Sequence, residues 1–126
     1  MTTVVDLHAA NLKRKGYDNI EQYFKRNEEN LFYISKKINI FYNDEQGIKS
    51  VYKLEESIFH NPFKSSDSTS ISECLKKYKE YILRRMDPKE IKILLENKIL
   101  ACWCKEEKDS DKQCHGDILK EIVNEA

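Results

Sequence analysis

The residues of this chain best suited to chemistry sit near its C-terminal end. They are Cys102-Trp103-Cys104 and, after nine intervening residues, Cys114-His115-Gly116-Asp117. Lys98 to Cys104 reads as a buried strand, and in a strand residues two apart point the same way. Cys102 and Cys104 are therefore expected to share one face, with Trp103 on the other. Gly116 to Asn124 reads as the last helix, so Cys114 and His115 stand at its start. Three thiolates and one imidazole make a soft tetrahedral donor set, and Cys102, Cys104, Cys114 and His115 are the expected ligands of a zinc ion. A catalytic reading uses the same segment differently. A helix start lowers a thiol pKa, which would make Cys114 a nucleophile, with His115 or Asp117 as general acid or base. The plainest reading is that the cysteines are small core residues, and that Asp117 only complements its helix dipole. The residues alone leave these three readings open.

Positioning such a cluster requires strands that end beside a helix start. Thr3-Val4-Val5-Asp6-Leu7 is β-branched and reads as a first strand, buried on both faces. A polar stretch follows through Gly16. Asp18 to Glu21 has the form of a capping box opening a short helix to about Asn27, with Ile20, Tyr23 and Phe24 on its apolar face. Leu31 to Ser35 is strand-like. Residues 38–54 read as a hairpin whose turn needs Gly47 at positive φ.

Lys64 to Ser70 is a polar loop. Ser72 to Met86 carries Leu75, Tyr78, Ile82 and Met86 on one helical stripe. Asp87 caps the next helix, with Pro88 in its first turn and Ile91, Leu94 and Leu95 inward. Asn97 is placed to close that helix in a left-handed conformation. Residues 105–113 form a charged loop, and Ile118, Leu119, Ile122 and Val123 line the last helix. The expected fold is α/β: one small layered domain over residues 1–126, its sheet covered by helices, with the hairpin as an addition.

Composition narrows the function. The chain has 126 residues, enough for one domain, and 40% of them are hydrophobic. Lysine plus arginine and aspartate plus glutamate both number 22. Zero net charge argues against nucleic-acid binding as the main role, although Lys76, Lys77, Arg84 and Arg85 could form a local patch. Three glycines are too few and too scattered for a phosphate-binding glycine loop. No run approaches the ~20 apolar residues of a membrane span. Met1 to Leu12 lacks the form of a secretory leader, so the expected setting is the cytoplasm, with reduced thiols. Lone histidines such as His8 and His60 are more often structural than functional. The tyrosines, Tyr33, Tyr42, Tyr52, Tyr78 and Tyr81 among them, could stack on single-stranded nucleic acid, but more often serve as ordinary strand and helix residues.

Several segments taken together resemble a known family. They are Leu31 to Ser35, Ser57 to Phe63 with its Asn61-Pro62-Phe63, Glu73 to Ile82, and Cys102-Trp103-Cys104 with Cys114 to Leu119. The family is a small domain of unknown function, number four-three-two-six of its series, found in bacteria, phages and large DNA viruses. The resemblance implies a compact α/β domain and no settled activity. It marks Asn61, Pro62, Phe63, Tyr78, Cys102, Trp103, Cys104, Cys114, His115, Gly116 and Asp117. For a viral member the setting is the host cytoplasm. Two departures stand out: Ser35 and His60 occupy positions where the family pattern has glycine, so side chains fill space where backbone could approach a ligand. The 105–113 link is also longer and more charged than usual.

The expectation that follows is a pocket for a nucleotide-like or nucleic-acid-derived ligand. Cys114, His115 and Asp117 would carry its chemistry, and Asn61, Phe63, Tyr78, Trp103 and Gly116 would contact the ligand. The alternative expectation is a non-enzymatic module that binds a partner protein, with a structural cysteine cluster that holds zinc or does without it.

Overall fold

The computed structural model describes residues 2–63, 70–103 and 114–126. The elements in chain order are β1 (Thr3–Asp6), α1 (Ala9–Arg14), α2 (Ile20–Arg26), β2 (Leu31–Tyr33), β3 (Ile38–Asn43), β4 (Lys49–Leu54), α3 (Ile71–Arg85), α4 (Pro88–Leu95), β5 (Ile99–Cys102) and α5 (His115–Glu125). The fold is the expected small α/β domain. Among the described residues, β1, β5 and β2 form a parallel sheet in that order, while β3 and β4 pair separately as an antiparallel hairpin.

The central strand β5 shows why helices must cover both faces. Leu100 and Cys102 point into one cluster with Ile34, Tyr78, Ile82, Leu95 and Leu119, which α3, α4 and α5 close. Ala101 points into the other, with Val5, Leu12, Ile20, Tyr23 and Leu54, which α1, α2 and the hairpin close. A strand buried on both faces reads as a continuous apolar run, as Ile99 to Cys102 does. The first strand is less covered than its composition predicts. Val5 and Asp6 are buried, but Thr3 is exposed and Val4 only half-buried.

Local chemistry sets the element ends. Asp87 caps α4 by accepting from Lys89 N at 2.8 Å, and Pro88 follows at the first position. Asn97 takes φ 62° directly after α4, and Gly47 takes φ 77° in the hairpin turn. The start of α2 differs from the sequence reading by one residue. Asn19, not Asp18, is the cap, accepting from Gln22 N at 2.8 Å. Gln22 reaches back to Asp18 N at 2.8 Å, which leaves Glu21 to pair with Lys25 and to accept from Tyr42 OH.

One further helix, α1, lies in the stretch read as merely polar. It is six residues long and buries only Asn11 and Leu12. A single buried leucine gives no periodicity to read. The expected polar loop at 64–70 and charged loop at 105–113 lie, save Ser70, outside the described residues. So does Cys104, and with it the expected shared face of Cys102 and Cys104.

Candidate functional site at the carboxyl edge of the sheet

The parallel strands end together at Asp6, Cys102 and Tyr33. The next described helices after β1 and β5 lie on opposite faces of the sheet. β1 leads into α1, whose Leu12 belongs to one cluster, whereas α5, the next described element after β5, belongs to the other. Open α/β sheets hold ligands beyond the carboxyl ends of their strands. The candidate residues divide between the two sides of this point.

On the α5 side the groups are buried and satisfy one another. Cys102 Sγ lies 3.2 Å from Cys114 Sγ and 3.6 Å from Val5 O. Cys74 is a free thiol, and Cys114 is disulfide-bonded. The expectation of reduced thiols therefore does not hold for Cys114, and a nucleophilic role for its sulfur requires its reduction. Cys114 is the N-cap of α5: its sulfur accepts from Gly116 N at 3.4 Å, and its own N–H donates to Asp117 Oδ2 at 2.9 Å. Asp117 thus occupies the helix start where an anion would sit, closing a capping box.

His115 is also inward. Its Nε2 lies 2.6 Å from Ile34 O, and its Nδ1 lies 3.6 Å from Cys114 Sγ. A carbonyl only accepts, so Nε2 carries the proton. Burial holds the imidazole below its ordinary pKa, against the pull of the Ile34 carbonyl, and so favours the neutral ring. Gly116 is packed onto the sheet: a Cβ there would meet Val4 Cγ1 at 2.9 Å and Ile34 Cδ1 at 3.0 Å. Tyr78 stands edge-on to His115 at 5.3 Å and donates to Phe59 O at 2.6 Å. Burial raises the Tyr78 pKa well above its usual value.

The Asn61-Pro62-Phe63 segment continues from there. Asn61 Oδ1 accepts from Phe63 N at 2.9 Å, and Phe63 packs edge-on against Tyr81. Ser35 is buried, and its carbonyl accepts from Ser57 N at 3.0 Å, tying this segment to the end of β2. His60 is held by Ser57 O at 2.9 Å. Cys102, Cys114, His115, Gly116, Asp117 and Tyr78 therefore come together, with Asn61 and Phe63 reached through Phe59 and Tyr81. Among the described residues no group of three histidines, cysteines or acids gathers as a metal site. The fourth residue of the expected zinc set, Cys104, lies outside them.

Trp103 is on the other side. Its Nε1 donates to Tyr33 OH at 2.9 Å, and Tyr33 OH donates to Lys36 O at 2.6 Å. Its ring meets His8 edge-on at 5.5 Å. His8 Nδ1 lies 2.5 Å from Asp6 Oδ1, with the Asp6 side chain 4% exposed and that of His8 48% exposed. Asn11 Nδ2 donates to Asp6 O at 2.8 Å, while its buried Oδ1 has no hydrogen-bond partner among the described residues. The sequence reading set His8 aside as a lone histidine and did not weigh Asp6 or Asn11. The available signal was an Asp-x-His spacing where a strand runs out, which leaves acid and imidazole close together.

The class this defines is a small domain with a parallel sheet covered by helices on both faces and polar side chains gathered at its carboxyl edge. A family model, Domain of unknown function (DUF4326), matches residues 13–125, and the chain belongs to that family. Asp6, His8 and Asn11 precede the matched segment. No curated protein and no solved structure matches the chain.

Proposed function

We propose that this domain binds a nucleotide-like or nucleic-acid-derived ligand across the carboxyl edge of its parallel sheet. The observation that carries the reading is the gathering of Trp103 and the Asp6–His8 pair beyond the carboxyl ends of β1 and β5. A ligand of this class has an aromatic base to stack and an anionic group to neutralise. Trp103 is half-buried and offers a ring. Lys36 and Lys37, exposed just beyond β2, offer charge, and Tyr33 links this turn to Trp103. In this reading the buried Cys102, Cys114, His115 and Asp117 hold α5 against the strand ends.

The test is thermal denaturation against a panel of nucleosides, mono- and dinucleotides and short oligonucleotides. A ligand at 100 times its Kd stabilises the folded state by about 2.7 kcal/mol, which reads as a clear rise in Tm. Lys36→Glu/Lys37→Glu should abolish that rise for a phosphorylated ligand while the protein stays folded. No shift with any member of the panel overturns the proposal.

The second reading is a protein-interaction module, and the hairpin favours it. Phe41 and Val51 face each other across β3 and β4 and are 80% and 45% exposed. An exposed apolar cross-strand pair on an open two-stranded sheet offers a surface on which a partner can dock. Concentration-dependent or partner-dependent loss of solvent exposure at Phe41 supports this reading.

A further inference from the structure

We infer that His8 is the proton-accepting residue of the carboxyl edge, oriented by Asp6, toward a hydroxyl of the bound ligand such as a ribose carries. The inference rests on the reading that this edge holds a ligand. Three features carry it.

First, the pair has the polarity of an activated base. The Asp6 carboxylate is buried and accepts from His8 N at 3.3 Å as well as facing Nδ1 at 2.5 Å. A carboxylate accepts only, so it fixes the proton of the neutral ring on Nδ1 and leaves the Nε2 lone pair facing away from it. Secondly, the ring is held rather than free. Backbone and side chain both meet Asp6, and the edge of Trp103 bounds the imidazole at 5.5 Å with the planes at 87°. Half the His8 side chain remains open to solvent, whereas His115, the other histidine beside these strand ends, is buried and spends its Nε2 on Ile34 O.

Thirdly, a polar group near the pair is unsatisfied. Asn11 Nδ2 donates to the Asp6 carbonyl, which fixes the amide orientation and leaves Oδ1 as a buried acceptor without a donor among the described residues. Such an atom calls for a donor from water or from a ligand at this edge. The step assigned to His8 is a proton transfer. The ligand O–H bond breaks, its electron pair stays on oxygen, the proton goes to Nε2, and Asp6 balances the imidazolium that forms.

The test needs no ligand. Nitrogen-15 NMR of the full chain should show neutral His8 with Nδ1 protonated and Nε2 bare. Ethoxycarbonylation by diethyl pyrocarbonate should modify His8 ahead of His115, and Asp6→Asn should slow that reaction, because the carboxylate no longer holds the proton on Nδ1. If Asp6→Asn does not fold, the wild-type tautomer decides alone. A neutral His8 protonated on Nε2, or a His8 no more reactive than His115, overturns the inference. Neither measurement involves nucleotides, so a failed ligand panel and a failed base assignment are distinguishable.

Discussion

Cys102, the last residue of the central strand, lies 3.2 Å sulfur to sulfur from Cys114, the residue that caps the last helix. This contact joins the end of β5 to the start of α5, and both sulfurs are buried. Cys102→Ala should therefore lower stability by about 1–3 kcal/mol, the range for a core truncation. Chemical denaturation measures it. A neutral result would mean that α5 is seated without the sulfur contact.

Gly116 should resist substitution for a packing reason. Its position would press a methyl onto Val4 Cγ1 and Ile34 Cδ1 at 2.9 and 3.0 Å. Alanine is the better helix former by about 1 kcal/mol, yet overpacking should prevail and Gly116→Ala should lose roughly 1–3 kcal/mol. Adding Val4→Ala should return part of that loss, and a double-mutant cycle reads the coupling.

Tyr78 and His115 set opposite limits on the pH range of the fold. Burial raises the native Tyr78 pKa above its ordinary 10.0. Its share of stability is complete below that value and is lost as pH rises beyond it, because only the unfolded chain ionises readily there. Burial lowers native His115 below its ordinary 6.5. Its share is complete above 6.5 and is lost as pH falls from there toward the lowered native value. Melting temperature against pH should show both declines. Tyr78→Phe should lessen the alkaline one, to which the buried Tyr23 also contributes, and destabilise the protein by about 1–3 kcal/mol through the unpaired Phe59 carbonyl.

Phe41 gives the contrasting case. It is 80% exposed on the outer face of the hairpin. Phe41→Ser should change stability by no more than about 0.5 kcal/mol, as surface substitutions do. Any larger effect on self-association or pull-down than on melting assigns the side chain to an interface.

The parts of this fold legible in the sequence are those with a strong local cause. The α3 stripe, the Asp87-Pro88 helix start, Asn97 after α4 and Gly47 in the hairpin each follow from neighbouring residues, and each is present in the fold. The segment 9–14 was not legible as a helix because its burial rests on Leu12 and Asn11 alone. The candidate site was legible in halves. Cys102, Cys114, His115 and Asp117 announced themselves by type and spacing, but that they satisfy one another depends on how α5 meets β2 and β5, which is a tertiary fact. The Asp6–His8 pair was obscured for the opposite reason: its residues are ordinary, and only the end of a parallel strand beside Trp103 makes them a unit.

Trp103 is the one tryptophan of the chain, so intrinsic fluorescence reports directly on the carboxyl edge. Titrating the protein with nucleotides while following that emission is the most direct experiment. Saturable quenching or a spectral shift, weakened in His8→Ala and Lys36→Glu, is the expected outcome. Emission that stays constant through millimolar nucleotide, in a folded protein, would refute a nucleotide site at this edge and leave the protein-interaction reading of the hairpin in its place.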